Sequence, residues 1–371
     1  MKINFANPDI GNFEKKNILD AFNTKWISQG PYNKKFEDKF AKILNRKFAL
    51  SVSNGTAAVQ LAIMSMDLNE GDEVIVPSTC YISPIHVLKL LKLKPIICEM
   101  NSKSFQMDPF DIEKKITKKT KLILMIHNYG NLCEIKRIKN IATKYKIMVL
   151  EDFAEAIFSK LNNTYAGKFG KISCCSFHAT KTLTTGEGGM VFTDSLKLFS
   201  KMKKIREHGY KDKSVAYSYE AIGLNFKMSN ILASIGLAQL FRKKEIISKR
   251  VQLYKLYKKS LKNNKFIIFP KNQLNEKSVM WSTPINILIN KKISSHRLMK
   301  ILKSKKIDAK PSFKSLINNY HLKLKDKKKT HKSNNFADNI LLLPLNSKMS
   351  TKKVLEVCKT INSAFNIKNI S

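Results

Sequence analysis

The feature that most restricts the fold of this chain is an alternation. Short apolar, β-branched runs are separated by segments whose apolar residues recur every three or four positions. The runs are FALSVS from Phe48, DEVIVP from Asp72, KPIICEM from Lys94, KLILMIH from Lys121 and KIMVLED from Lys146. Between them, AAVQLAIMSM from Ala57 and IKRIKNIATKY from Ile135 carry helical spacing. Repetition of strand, helix and strand predicts an α/β class with a mostly parallel central sheet. Parallel neighbours need crossover helices, and these cover both faces of the sheet. Two more short strands, ISCCSFH from Ile172 and GGMVFTD from Gly188, flank Lys181 and the turn-rich TTGEGG.

From Met228 to Leu261 the pattern becomes one long helical stretch. The chain then restarts as WSTPINILI from Trp281, a helix near His296 to Lys303, ILLLPL from Ile340 and a final helix from Thr351. This predicts a large domain over residues 1–240 and a smaller C-terminal α+β domain over 241–371. No Pro/Gly/Ser-rich linker separates them, so the expected join is a long helix around 228–261.

A formal charge of +40 brings nucleic acid and anionic membranes to mind first, because basic surfaces attract phosphate polymers whatever the fold. The composition argues against both. The chain has 62 lysines and only six arginines, whereas phosphate and base recognition favours the planar guanidinium fork. The densest run, LKLKDKKKTHK from Leu322 to Lys332, has no aromatics on which bases could stack and reads as a solvated loop. Six cysteines form no CxxC pair and no disulfide-framework spacing, which suits buried thiols in a reducing compartment and indicates no metal site. The N-terminal stretch lacks a signal-peptide h-region, and no apolar run approaches the length of a membrane span. A cytoplasmic location without membrane insertion is expected.

Three stretches carry chemistry. In SNGTAAVQLAI, from Ser53, a strand running through Asn-Gly-Thr into a helix leaves backbone N–H groups of Gly55, Thr56 and Ala57 for an anion. A plain turn fits the same letters. In EDFAEA, Asp152 and Glu155 follow a strongly apolar strand, where open α/β sheets present residues to ligands. A helix N-cap by Asp152 is the structural alternative. In SFHATKTLTTGEGGM, Lys181 sits in a Gly- and Thr-rich stretch that could desolvate an amine and favour its neutral, nucleophilic form. Glu187 with its glycines reads as turn geometry, and Trp26 reads as packing. His127 ends a strand, where it could face the site or cap backbone.

A phosphate cup, a carboxylate at a strand end and a lysine on a later hairpin are together what pyridoxal phosphate requires. Its aldehyde needs an amine, its ring nitrogen a carboxylate and its phosphate a helix start. The stretches WISQGPYNKKFEDKFA, NGTAAVQLA, GDEVIVPS, HNYGN, EDFAEA, SFHATKTLTTGEGGMVFTD, REHGY and IGLNFKMSNILASIGLAQL resemble the DegT/DnrJ/EryC1/StrS sugar aminotransferases. These belong to fold type I of the pyridoxal-phosphate enzymes. The resemblance runs from about Trp26 to the C-terminus.

The resemblance implies that Lys181 carries the cofactor and that Asp152 pairs with its ring nitrogen. Glu155 then lies near the ring hydroxyl, and Tyr81 stacks on the ring. Gly55, Thr56 and Ser176 hold the phosphate, with Asn225 reaching it from the neighbouring subunit of a homodimer. Tyr32, His178, His208 and Lys310 are candidates for contact with the sugar nucleotide. A lysine at 181 implies transamination, since relatives with histidine there are dehydratases. Glutamate is the implied donor and a keto-sugar nucleotide the acceptor. The stretches EDFAEA, TTGEGGM and IGLNFKMSN look most like members that aminate C4 of a GDP-linked 4-keto-6-deoxyhexose of the perosamine type, for surface glycans such as O-antigen. dTDP- or UDP-linked 3- or 4-keto sugars remain open, and so does a noncatalytic basic binding protein that keeps the fold. Lys310-Pro311 stands where the family usually has Arg-Pro, Ile317 lies near an expected histidine, and Lys227 replaces a commoner arginine.

Overall fold

A computed structural model describes residues 2–211, 217–288, 293–322 and 336–366. Residues 323–332 of the lysine-rich run lie outside that description. The seven-stranded main sheet has the order Phe48–Val52, Gly189–Thr193, Ile172–Ser176, Met148–Asp152, Thr120–Ile126, Glu73–Pro77, Lys94–Cys98. Gly189–Thr193 runs antiparallel to both of its neighbours, and the remaining pairings are parallel. The parallel strands are almost continuously apolar because side chains of both parities meet a core. Ile75, Ile123, Met125, Val149 and Cys175 pack into one cluster, while Val74, Val76, Leu122, Leu124, Leu150 and Cys174 pack into another. All six cysteines are buried and free.

The first cluster is closed by helices Pro31–Leu44, Ile135–Lys144 and Asn230–Phe241, and the second by Gly55–Met64, Ser83–Leu90 and Leu196–Arg206. Helices Pro31–Leu44 and Asn230–Phe241 meet where Gly236 faces Phe36. A Cβ at 236 would stand 2.5 Å from the Phe36 ring, and that ring is itself wedged against Phe40 and Phe177. Gly236→Ala is therefore expected to destabilise the protein by about 1–3 kcal/mol through overpacking, measured as a lower urea midpoint with an unchanged slope.

The long helical stretch is two helices, Asn230–Phe241 and Lys243–Ser260. The break falls at Arg242, which leaves helical geometry at φ −85°, ψ 3°. Its guanidinium grips Asp9 at 2.9 Å, Glu14 at 3.0 Å and Glu245 at 3.2 Å. Three carboxylates on one arginine fix the direction of the chain at this point. Beyond it, a four-stranded antiparallel sheet of order Ile267–Ile268, Thr283–Ile287, Ile340–Leu343, Lys310–Pro311 packs with helices Lys243–Ser260, Ser295–Ser304 and Thr351–Ala364. The N-terminal residues join this later unit: Ile3 bridges Ile307, and Phe5 packs on Trp281. Phe105 and Tyr129 also belong to its core. Among the described residues no helix is long and apolar enough to cross a membrane.

Candidate active site

The parallel strands bring their C-terminal ends to one edge of the main sheet, where open α/β sheets bind ligands. Asn54, Asp152 and Ser176 all stand at that edge. Asn54 caps helix Gly55–Met64, its side-chain oxygen accepting the Ala57 N–H at 2.8 Å. The N–H groups of Gly55 and Thr56 find no acceptor among the described residues. Gly55 lies flush against Ser176, whose Cβ and Oγ would be 2.7 and 3.1 Å from a Cβ placed there. Any side chain at 55 would push the helix start off the serine. Two free amides and a hydroxyl thus form a small concave donor group.

Asp152 is buried, and no helix follows it. Its Oδ1 accepts the Ala154 N–H at 3.0 Å in a turn, so the N-cap alternative does not apply. Among the described residues nothing else bonds its carboxylate. Burial pushes its carboxyl up to about 6, and the Glu155 charge adds to this. The Ala154 N–H and the charge of Lys181 pull the other way. Glu155 accepts the Lys181 amine on Oε1 at 3.1 Å and the Tyr129 N–H on Oε2 at 2.8 Å. The hairpin lysine and the carboxylates, 26 and 29 residues apart in sequence, are therefore neighbours in space. The amine's partners are Glu155 and the face of Trp281, whose ring centroid is 4.5 Å away.

The adjacent Glu151 points to the opposite side of the strand. It accepts the backbone N–H groups of Gly167, Phe169 and Gly170 at 2.6, 2.7 and 2.9 Å, and His127 Nε2 lies 3.2 Å away. Burial alone would raise its carboxyl, but His127 and these amides hold it below its ordinary value. His127 is buried, and its Nδ1 accepts the Cys133 N–H. It braces the strand behind the site.

Tyr81 is exposed, its ring edge-on to Phe313 at 6.1 Å. Cys80, next to it, is buried, and burial followed by the charges of Asp152 and Glu155 raises its thiol. The 78–81 turn therefore borders the carboxylates. Residues 312–316 lie across this turn: Thr79 bridges Ser315, and Leu316 N–H donates to Ser78 O at 2.8 Å. Tyr129 OH and Ser312 Oγ are 2.5 Å apart. The sequence reading missed Trp281, Phe313 and Ser312, which come from distant segments, and it quoted Tyr129 within HNYGN without a role.

The other candidates are more scattered. Exposed His178 contacts Thr180 at 3.0 Å within the hairpin and lies 3.8 Å from Glu187. Exposed His208, at φ 66°, rests edge-on against Tyr210. Lys310 is exposed and paired with Asp308 at 2.8 Å. Tyr32 is buried, its OH donating to Asp20 at 2.5 Å, and burial together with that carboxylate pushes its hydroxyl up to about 12. Asn225 is exposed and bridges Glu207, while the following Phe226 and Lys227 run beside Val52 and Ser53. Trp26, expected to pack, is exposed beside exposed Ile27.

Comparison with known proteins agrees with this geometry. The model of the DegT/DnrJ/EryC1/StrS aminotransferase family matches residues 8–362. The GDP-perosamine synthase of Escherichia coli O157:H7 is 34% identical over 97% of this chain and 98% of its own length. That of Vibrio cholerae is 31% identical with the same coverage. A solved structure of E. coli GDP-4-keto-6-deoxy-D-mannose-3-dehydratase with bound hydrated PLP superposes with a TM-score of 0.92. It covers 97% of this chain and 99% of that one at 22% identity, and shows the fold. The chain belongs to the DegT/DnrJ/EryC1/StrS aminotransferase family.

Proposed function

We propose that this protein transfers an amino group from glutamate to C4 of a GDP-linked 4-keto-6-deoxy sugar, using pyridoxal phosphate and Lys181 as the reacting amine. The observation that carries the reading is the placement of Lys181 against Glu155 and within the field of buried Asp152. The GDP-perosamine synthases, alike over nearly their whole length, support the choice of sugar. The fold is shared with a dehydratase, so the reaction is read from position 181, where this chain has an amine.

The residues present fit the cofactor. A buried carboxylate raised toward neutrality by burial, with a single amide donor, is a receptor for a cationic ring nitrogen. The free amides of Gly55 and Thr56 beside Ser176 Oγ are a receptor for a phosphate. When bound, the cofactor supplies an electron sink for the pair left when the amino-bearing carbon loses its proton. Asp152 keeps a positive charge on the ring nitrogen through a preorganised, water-poor electrostatic contact. Lys181, once free, moves that proton as base and then acid, with Glu155 holding the amine in place. Exposed Tyr81 offers its face to the ring. Tyr32, His178, His208 and Lys310 are proposed contacts for the sugar nucleotide, with Lys310 supplying a point charge rather than a guanidinium fork.

A homodimer in the cytoplasm is part of the proposal. Asn225 sits in an exposed strip with Ile222 and Leu224, and Asn230 just beyond donates to Trp26 O at 2.8 Å, tying exposed Trp26 and Ile27 to the same strip. Apolar exposure of this extent suits cover by a second copy, with Asn225 of one copy completing the phosphate cradle of the other. The division at about residue 240 is retained as a proposal for the two domains, with the first few residues assigned to the later one. The biosynthesis of a surface glycan such as O-antigen is the proposed setting.

The test is an assay of purified protein, glutamate and a panel of GDP-, dTDP- and UDP-linked 3- and 4-keto sugars. The expected result is 2-oxoglutarate formed in equal amount with an amino sugar, fastest with the GDP-linked 4-ketone. A rate higher with a dTDP- or UDP-linked sugar would reassign the acceptor. Absence of 2-oxoglutarate with every sugar would remove the proposed reaction.

A further inference from the structure

The Lys181 amine lies between two partners, the Glu155 carboxylate at 3.1 Å and the Trp281 ring centroid at 4.5 Å. Neither partner is free to drift. Trp281 is buried, and its indole Nε1–H donates at 2.8 Å to the carbonyl of Thr180, the residue before the lysine. Its backbone N–H donates to Tyr129 O at 2.8 Å, and Tyr129 N–H holds Glu155. The contacts therefore close a ring: Lys181 to Glu155, Glu155 to Tyr129, Tyr129 to Trp281, and Trp281 back to Thr180 and Lys181. Tyr129 spans the two halves from a left-handed backbone, φ 64°, a conformation that a bulky side chain adopts only under firm constraint.

The indole is also fixed from behind. It stacks on Phe313 at 6.3 Å with 9° between the planes, and Phe5 meets it edge-on at 5.7 Å. Arg250 donates from one nitrogen to the carbonyls of Met280, Trp281 and Leu345 at 3.1, 3.1 and 3.2 Å. This guanidinium is buried, and the acceptors it meets are these carbonyls. Burying a charge on carbonyls alone is costly, and here it holds the turn from which the indole projects.

We infer that Trp281 is a positioning residue for the Lys181 amine: its π face keeps the amine aimed into the site. The inference rests on the reading of Lys181 as the reacting group. An indole face within 6 Å of a desolvated cation is an attractive partner, and a lysine stem otherwise has many rotamers to explore. The same contact covers one side of the amine.

The chain carries 62 lysines, which makes selectivity of labelling a direct readout. Protein freed of cofactor is mixed with a substoichiometric amount of pyridoxal phosphate, and the C=N bond formed with loss of water is reduced by borohydride. Peptide mass mapping then gives the share of label on Lys181. The wild-type protein is expected to label Lys181 in preference to all other lysines. Trp281→Leu is expected to lower that preference by up to about thirty-fold, the rotamer freedom regained by one unrestrained lysine side chain. Trp281→Phe, which keeps a ring face, is expected to retain most of it. Unchanged selectivity in Trp281→Leu, or equal loss in Trp281→Phe, would overturn the inference while leaving the role of Lys181 intact. No preference for Lys181 in the wild-type protein would instead overturn the role of Lys181 itself.

A second measurement is independent of how the Trp281 variants fold. Trp26 and Trp281 are the two tryptophans of the chain, so Trp26→Phe leaves Trp281 as the sole indole. Its emission is expected to fall almost to zero when pyridoxal phosphate is attached and reduced. Emission that persists would mean that Trp281 does not face the labelled amine.

Discussion

Lys181→Ala is expected to lose transamination by at least about 10⁴-fold, because one side chain supplies both the attachment point and the proton carrier. The variant is also expected to lose the absorbance band near about 410–430 nm that wild-type protein gains with pyridoxal phosphate, where a protonated imine of that cofactor absorbs. Removing the amine leaves Glu155 buried without its cation, so a fall in stability could be mistaken for a loss of chemistry. Lys181→Arg separates the two. Arginine keeps a positive charge for Glu155 and for the Trp281 face but does not condense with an aldehyde at neutral pH. It is expected to melt close to the wild type and to show neither band nor turnover. Normal turnover in either variant would mean that another amine does the work.

Asp152→Asn is expected to lower the rate by about 10²–10³-fold, the cost of removing one preorganised charge from a water-poor site. It is expected at the same time to stabilise the cofactor-free protein above pH 6. The sign follows from proton linkage. Burial raises the Asp152 carboxyl from 3.8 to about 6 in the folded chain, so the folded state binds this proton more tightly than the unfolded state. Stability contributed by the group is greatest below pH 4, falls as pH rises from 4 to 6, and stays low above that. The displacement is equivalent to roughly 3 kcal/mol. An asparagine can still accept the Ala154 N–H but has no charge to bury. The cofactor-free variant should therefore melt a few degrees above wild type at pH 8 and show little advantage at pH 4. Calorimetry at the two pH values is the check. Equal melting at both would show that the buried carboxylate is not strained, and so not poised for a cationic partner.

The sheet was legible because each parallel strand is apolar on both faces and each crossover helix keeps its period. Asp152 was legible for the same reason, since strand ends in such a sheet share one edge, whereas Ser176 entered through the family resemblance. Lys181 was singled out by its Gly/Thr-rich neighbours, but its ion pair and its ring contact come from distant segments. Glu155 was quoted as part of a motif, yet its bond to the amine depends on how a turn folds. Trp281 was invisible because nothing local marks a tryptophan 100 residues after the lysine as its neighbour, and Tyr129, quoted within HNYGN, gave no sign of its link between Glu155 and Trp281. The break at Arg242 escaped notice because the apolar period continues across it. The carboxylates of Asp9 and Glu14, more than 220 residues earlier, join Glu245 in turning the chain there.

Glu151 and Asp152 are consecutive, yet one is clamped by three amides and a histidine while the other is left with a single amide donor. They differ only in which way the pleat turns them. Loss or gain of one residue in Met148–Asp152 would exchange their sides, presenting the clamped position to the ligand and burying the reactive one among glycine amides. That stretch can thus tolerate changes of letter more readily than changes of length. Insertions and deletions that reshape descendants of this chain should accumulate in the connections at the far edge of the sheet.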